Sequence, residues 1–391
     1  GAFGLDDDGI AYVVTGYALV LALIACSALL FAADQVERTE SAAQQRDLLQ
    51  QVVVLEASDL HLRAGAVPKV RRSGALEPLP VPAPAADDLA RMLESAMSPD
   101  VLDAFARDLE ADFAIAAEGI GRFRVNAFLA RGAVGAVLRR IGEDPIPLDT
   151  LGMPESVGRL ALRPRGLVLV TGPTGSGKST TLSAMVDLVN QTRPVHVLTL
   201  EDPIEVVHHD KQATVTQREL GSDTRDWSSA LRAAMRQDPD VILIGELRDA
   251  ETVRAALSAA ETGHAVLSSM HTTDARETVL RLVEFFPSHE QPRVRAALGA
   301  SLEGVVCQRL VPRADGAGRV CVVEVGVRDA RFAEAVADPD RTHDLPEVLA
   351  EGSWSGMQTF DQHLLALVQA GTVDVRTATM AASNPHDFGV M

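Results

Sequence analysis

Lysine is nearly missing from this chain: Lys69, Lys178 and Lys211 are the only three among 391 residues, and arginine fills the remaining basic positions. A position that keeps lysine against that drift suits chemistry needing a compact ammonium rather than a planar guanidinium. Positive charge as a whole is short as well. Asp and Glu number 54 against 36 Lys and Arg, and the net charge of −18 argues against a general nucleic-acid surface. Cysteine is limited to Cys26, Cys307 and Cys321, with no C-x-x-C pair. That excludes a zinc ribbon and a disulfide framework, and makes a reducing cytoplasm the default compartment. No internal repeat or low-complexity tract interrupts the chain, whose length suits two domains plus appendages.

One long apolar run is present. Residues 10–33 are uncharged, about 24 residues or about 36 Å as a helix, enough to span a bilayer core. Both tyrosines, Tyr12 and Tyr17, fall in it. Asp6, Asp7 and Asp8 precede it and Arg38 and Arg46 follow, which weakly places the C-terminal side in the cytoplasm. A signal peptide would be shorter with a basic start. A membrane anchor is therefore expected, with a start-site artefact as the other reading. Residues 1–47 read as this leader and a polar connector, and residues 48–142 as a small α/β domain.

In that domain, Ala57–Arg63 alternates polar and apolar residues as a strand does. A second strand is expected near Lys69–Arg72, then a Pro-rich loop over Glu77–Ala86. Asp87 or Asp88 is expected to cap a helix carrying Leu89, Met92, Leu93 and Ala96, and Ser98-Pro99 to open another. Asp112–Ala116 and Phe123–Leu129 read as strands joined by a turn at Gly119–Gly121. Arg122, Arg124, Arg131 and Arg139 cluster here. Such arginines are ordinarily solvated strand-face charges.

Residues 143–155 form a proline-rich linker. From 156 to 343 strands and helices alternate: Leu167–Thr171, a helix from Lys178, Val195–Leu200, Asp226–Gln237, Val241–Gly245, Ala250–Ala260, Ala265–Ser269 and Ala275–Phe285. That order predicts a mostly parallel sheet with helices on both faces. Residues 344–391 are expected to be helical with glycine breaks.

The chemistry concentrates after the first of these strands. Gly172-Pro173-Thr174-Gly175-Ser176-Gly177-Lys178-Ser179-Thr180 fits the phosphate loop G-x-x-x-x-G-K-[ST]. Its glycines let backbone N–H groups and a helix N-terminus face a triphosphate. Lys178 is expected to reach the β and γ phosphates of ATP, and Ser179 to hold Mg²⁺. Asp240–Glu246 is a buried-strand pattern ending in a carboxylate, placing Glu246 beside the loop for Mg²⁺ or an attacking water. Glu201, Asp202 and Glu205 follow the next strand in the same manner. His264 and His271 bracket strand Ala265–Ser269, where an imidazole could sense the γ-phosphate. Each is also of a type that is usually structural. His208-His209 is unpromising as a metal pair, and no serine or cysteine nucleophile stands out.

Taken together, these residues resemble the type II/IV secretion ATPase superfamily, and within it the type IV pilus retraction (twitching motility, PilT-like) ATPases. The resemblance runs from about Val53 to Phe388. It rests on Ala57–Leu62, Phe123–Phe128, the Gly172–Thr180 loop, Glu201–Glu205, Ile242–Asp249, Ala260–His264 through His271–Thr273, and Gly356–Asp361. It implies a PAS-like N-terminal domain and a RecA-like motor domain in each subunit of a homohexamer, with ATP between the two domains. It also implies partners: an inner-membrane platform protein, the pilus machinery and a paralogous retraction ATPase, with no nucleic acid. On the same resemblance Glu205 is the catalytic carboxylate and Glu246 the Walker B carboxylate. His264 and His271 couple nucleotide state to shape, and Arg124 and Arg139 reach the γ-phosphate, while Arg122 and Arg131 stay unassigned. The expected location is cytoplasmic, at the inner face of the cytoplasmic membrane. The family's retraction helix falls near Asp329–Glu334 in degenerate form, which leaves room for an accessory PilU-like role. The apolar leader lies outside the usual pattern. The four-cysteine zinc insert typical of extension and general secretion ATPases is missing.

Overall fold

A computed structural model describes residue 39 and residues 41–388, apart from 73 and 143. The apolar run at 10–33 lies outside the described residues. Among those described, no helix is long and apolar enough to cross a membrane. The chain divides into two compact units, one up to Ile141 and the other from Gly142 onward.

The first unit begins with a helix over residues 41–54 (α1). Six strands follow: β1 (Asp59–Arg63), β2 (Ala66–Arg72), β3 (Ala75–Pro78), β4 (Glu110–Ala117), β5 (Gly121–Ala130) and β6 (Ala133–Arg140). They form one antiparallel sheet in the order β3-β2-β1-β6-β5-β4. Alternation decides its faces. Phe123, Val125 and Ala127 of β5 and Ala136 and Leu138 of β6 are buried, together with Leu89, Met92 and Leu93 of α2 (Ala86–Glu94). The intervening positions Arg124 and Arg139 are exposed.

Two expectations are corrected in this unit. Glu77 and Pro78 are not loop but the end of β3, a short edge strand where a proline costs no ladder bond. Neither Asp87 nor Asp88 caps α2. Ala85 is the N-cap, and both aspartates sit in the first turn, where their charge favours the positive end of the helix. Helix α3 (Pro99–Asp108) starts as the sequence predicts, with Ser98 accepting from Val101 N–H and proline in the first turn. Strand β6 was not anticipated. It pairs back on β5 through Arg131 and Gly132, both left-handed at φ 55° and 78°, the two-residue hairpin geometry that matches strand twist.

The second unit runs through α4 (Glu155–Ala161), β7 (Gly166–Thr171), α5 (Lys178–Thr192), β8 (His196–Glu201) and β9 (Thr214–Glu219). It continues through α6 (Trp227–Ala234), β10 (Val241–Ile244), α7 (Ala250–Glu261), β11 (Ala265–Met270), α8 (Ala275–Glu284) and α9 (Gln291–Ser301). The chain then forms β12 (Leu302–Pro312), β13 (Arg319–Val327), α10 (Ala330–Ala337), α11 (Leu345–Glu351), α12 (Phe360–Gln369), α13 (Val375–Ala381) and α14 (Pro385–Phe388). The sheet order is β13-β12-β7-β11-β10-β8-β9. Every pair is parallel except β12 with β13. Every residue of β7, β10 and β11 is buried, because helices cover both faces of a parallel sheet. Leu345, Phe360 and Leu364 join the same core, so the C-terminal helices are packed into this unit.

Candidate functional site

The phosphate loop links β7, in the middle of the sheet, to α5. Gly172 has φ 145°, and a Cβ on it would collide with the carbonyl oxygen of Gln308 on β12. Gly177 is the left-handed N-cap of α5 at φ 91° and supplies no side-chain cap. The first-turn N–H groups of α5 therefore stay open toward an anion, and Thr181 N–H bonds back to the Gly177 carbonyl at 3.0 Å. Ser176 Oγ is buried with no hydrogen-bond partner. Ser179 is exposed at the same turn. An uncapped helix start, a wrapped glycine loop and an unsatisfied hydroxyl form a cradle that fits a phosphate chain.

Lys178 is buried, and its ammonium donates to the carbonyls of Gly172 at 2.8 Å and Pro173 at 3.2 Å. It also lies 3.3 Å from His271 Nδ1. Burial pushes the Lys178 pKa below its ordinary value, while the charges of Glu246 and Glu205 act in the opposite direction. His271 follows β11 and places its Nε2 3.3 Å from Glu246 Oε1. The tautomer with its proton on Nε2 satisfies both contacts, accepting from Lys178 and donating to Glu246. Arg248 Nε donates to the other oxygen of Glu246 at 2.9 Å. Lys178, His271, Glu246 and Arg248 thus form one polar chain across the C-terminal ends of β7, β11 and β10, where parallel sheets hold ligands. A cleft of about 590 Å³ lined by Glu246, Arg248, His271, Glu277 and Arg281 continues from it.

Glu205 follows β8 and is exposed in a loop, close enough for its charge to act on Lys178. Ahead of it, Glu201 accepts from Thr199 Oγ1 at 2.6 Å and Gln217 Nε2 at 3.0 Å. Burial pushes the Glu201 carboxyl above its ordinary range, against those hydrogen bonds. Among the described residues no cluster of three or more His, Cys, Asp or Glu could hold a metal by itself. Magnesium, as a hard cation, is ordinarily held by a hydroxyl and a carboxylate alongside phosphate oxygens. Ser179 and Glu246 are the residues with that chemistry.

His264 does not join this group. It precedes β11, and Gly166, at the start of β7, donates its N–H to the His264 carbonyl at 2.9 Å. The phosphate loop leaves the other end of β7, one strand length of about 20 Å away. The His264 ring is instead bound to the end of α7, its Nδ1 3.0 Å from the Ala259 carbonyl. The expectation that both histidines sense the same phosphate is corrected within this chain: only His271 stands beside Lys178.

Arg124 and Arg139 belong to the first unit, on the exposed face of its sheet. Arg139 Nε donates to Asp59 Oδ1 at 2.8 Å, while Arg124 Nε is 3.8 Å from Asp112 Oδ1. Burial pushes the Asp59 carboxyl up, but hydrogen bonds from Ser58 and Arg139 and the charge of Arg139 outweigh it and hold it below its ordinary value. Arg131 is in the β5–β6 turn.

Gln308 was missed by sequence reasoning. It is buried on β12, and its Nε2 donates to the Ser176 carbonyl at 2.7 Å, fastening the phosphate loop from beneath. A polar residue interrupting the apolar run Val305-Val306-Cys307-Gln308 was the available signal.

The type II/IV secretion system protein family matches residues 37–356. The type IV pilus retraction ATPase PilT of Pseudomonas aeruginosa is 43% identical over 332 residues, 85% of this chain and 96% of that protein. The type IV pilus ATPase PilU of the same organism is 38% identical, covering 88% of this chain and 90% of that protein. The crystal structure of the pilus retraction motor PilT with bound ADP superposes with a TM-score of 0.81 at 41% identity, covering 88% of this chain and 99% of that one. With a family model matching residues 37–356 and a relative 43% identical along almost its whole length, the chain belongs to the type II/IV secretion system protein family.

Proposed function

We propose that this chain is a motor ATPase that hydrolyses ATP to power retraction and disassembly of a type IV pilus. The observation that carries the reading is the continuous chain from Lys178 through His271 to Glu246 at the phosphate loop, in a protein 43% identical to a retraction ATPase along almost its whole length. In this reading the open N–H groups of Lys178, Ser179 and Thr180 bind the phosphates. The Lys178 ammonium exchanges its loop carbonyls for β- and γ-phosphate oxygens. Ser179 and Glu246 would hold magnesium, which would supply positive charge at the phosphate oxygens. Glu205 accepts the proton of the attacking water or orients it. His271 bridges lysine and Walker B carboxylate, so loss of the γ-phosphate changes its two contacts together.

Six copies in a ring, with Arg124 and Arg139 closing on the γ-phosphate, would turn hydrolysis into domain movement. The ring would act on an inner-membrane platform protein at the cytoplasmic face. In cells lacking their own retraction ATPase, this chain is expected to restore retraction of labelled pili, and its Lys178→Ala variant is not. Pili that stay extended with the wild-type chain present would overturn the motor reading.

A second reading is an accessory, PilU-like subunit that works only with a partner motor. Its support is the 38% identity to PilU and the Asp329–Glu334 segment, which caps and opens α10 but carries a degenerate form of the retraction motif. Retraction restored only when a paralogous ATPase is also present would favour it.

A further inference from the structure

Gln217 lies on β9, at the edge of the second unit's sheet, and its side chain makes three hydrogen bonds. Its Nε2 donates to Glu201 Oε1 at 3.0 Å and to the Val206 carbonyl at 2.9 Å. Its Oε1 accepts from His208 N–H at 2.7 Å. All three partners flank Glu205. The Glu201 carboxylate receives, besides Gln217, the hydroxyl of Thr199 at 2.6 Å. From the same strand, Glu219 Oε2 accepts from Ile204 N–H at 3.0 Å.

Residues on both sides of Glu205 are therefore bonded to two β9 side chains, while the Glu205 carboxylate is left exposed. The frame also reaches the phosphate-loop helix: Ser183 Oγ on α5 is 3.2 Å from the ring Nε2 of the buried His208. An unprotonated carboxylate cannot donate and an apolar side chain can do neither, so only an amide meets all three demands at this position.

We propose that Gln217 is a positioning residue for Glu205: its amide fixes the loop so that the carboxylate stands at the place of the attacking water, in register with the helix that begins at Lys178. The proposal rests on the reading of Glu205 as the catalytic carboxylate. A misplacement on the order of 1 Å costs catalysis about a hundredfold, yet leaves the phosphate cradle intact.

The test is ATP turnover and ADP affinity of the full chain with Gln217→Met, Glu205→Gln and both together. Gln217→Met is expected to lower kcat by about tenfold to about a hundredfold, with the KM for ATP and the Kd for ADP within about threefold of wild type. The double variant is expected to be no slower than Glu205→Gln alone, because a residue acting through Glu205 has nothing left to position. Losses that multiply, or wild-type turnover by Gln217→Met beside a slow Glu205→Gln, would overturn the proposal. Wild-type turnover by Glu205→Gln would overturn the reading beneath it, and the proposal with it. Should Gln217→Met fail to fold, Gln217→Glu decides. It retains the acceptor for His208 and, ionised, loses both donors, so kcat should fall with the Kd for ADP within about threefold of wild type, and wild-type turnover overturns the proposal.

Discussion

Arg124 and Arg139 stand directly opposite each other on β5 and β6, on the exposed face of the sheet. The row continues: Arg139 is opposite Asp59 on β1, and Asp59 is opposite Arg71 on β2. One buried carboxylate therefore serves a row with three guanidinium groups. Like charges placed opposite each other destabilise a sheet, and Asp59 between Arg139 and Arg71 offsets that cost. Arg139 is tied to Asp59, whereas Arg124 has only a long contact to Asp112.

The two arginines should separate in experiment. Arg139→Ala leaves the buried Asp59 with Ser58 and a distant Arg71, which should cost about 1–3 kcal/mol of stability. Because pairing holds the Asp59 pKa below its ordinary value of 3.8, that contribution exists above 3.8 and is lost as pH falls through the depressed folded value. The difference from wild type should shrink in that acid range, measured by hydrogen exchange of the β1, β5 and β6 amides. Arg124→Ala should change stability by less than about 0.5 kcal/mol. If Arg124 meets the γ-phosphate, ATP turnover should nevertheless fall about a thousandfold, and an unchanged rate would remove it from the site.

For Lys178→Ala, turnover should fall at least about a hundredfold, because the group aimed at developing phosphate charge is lost. The fold should survive, since the loop is also held by Gln308 through the Ser176 carbonyl. Turnover assays paired with thermal unfolding check both halves.

His271 and His264 should differ in kind. Replacing His271 with alanine breaks the link between Lys178 and Glu246 and should slow turnover by about tenfold or more. His264→Ala removes a side-chain bond at the end of α7, costing about 1 kcal/mol of stability. Turnover of the isolated chain should then stay within about twofold of wild type. A steep loss in His264→Ala would mean that a contact from another copy brings it to the reaction.

Two buried groups give opposing pH dependence. Burial, aided by Lys211 and His209 and opposed by Asp187, lowers the His208 pKa from 6.5 to about 4. Stability from this group is full above 6.5 and is lost as pH falls toward 4, a span of about 3 kcal/mol. Glu324, on β13, accepts from Ala275 N–H at the start of α8, and burial with Asp274 and Asp361 nearby raises its pKa from 4.5 to about 7. Its contribution is full below 4.5 and is lost as pH rises toward 7. Between 4.5 and 6.5 the two slopes oppose each other. Glu324→Gln should therefore make stability fall more steeply than wild type on acidification across that window. Trp227 and Trp354, the only tryptophans in the chain, both lie in the second unit and report its unfolding in denaturant. Parallel wild-type and variant curves would refute the assignment.

Much of the second unit was legible because its signals are local. A phosphate loop requires glycines at fixed spacing next to a lysine, and a strand buried on both faces is mostly apolar, so β7, β10 and the start of β11 stand out in the sequence. The missing pieces were those whose reason lies across the fold. β6 reads weakly because Gly135 and Ala136 dilute its alternation, and pairing on both sides with β1 and β5 is what makes it a strand. β9 carries Gln217, Arg218 and Glu219, polar residues that look like loop until their side chains are seen supporting the segment after β8.

The sequence by itself determined that a phosphate-binding loop starts a helix after a buried strand, that acidic strand ends lie beside it, and that a small α/β domain precedes it. Spacing and polarity along a few residues suffice for that. Only the tertiary structure decided which of the two histidines stands at Lys178, because parallel pairing of β11 with β7 sets the end that leads to His271 beside the phosphate loop and the end at His264 beside Gly166. It also decided that Gln217 and Gln308 support the site. A buried amide draws its meaning from the carbonyls and carboxylates it meets, and strands distant in sequence bring those to it.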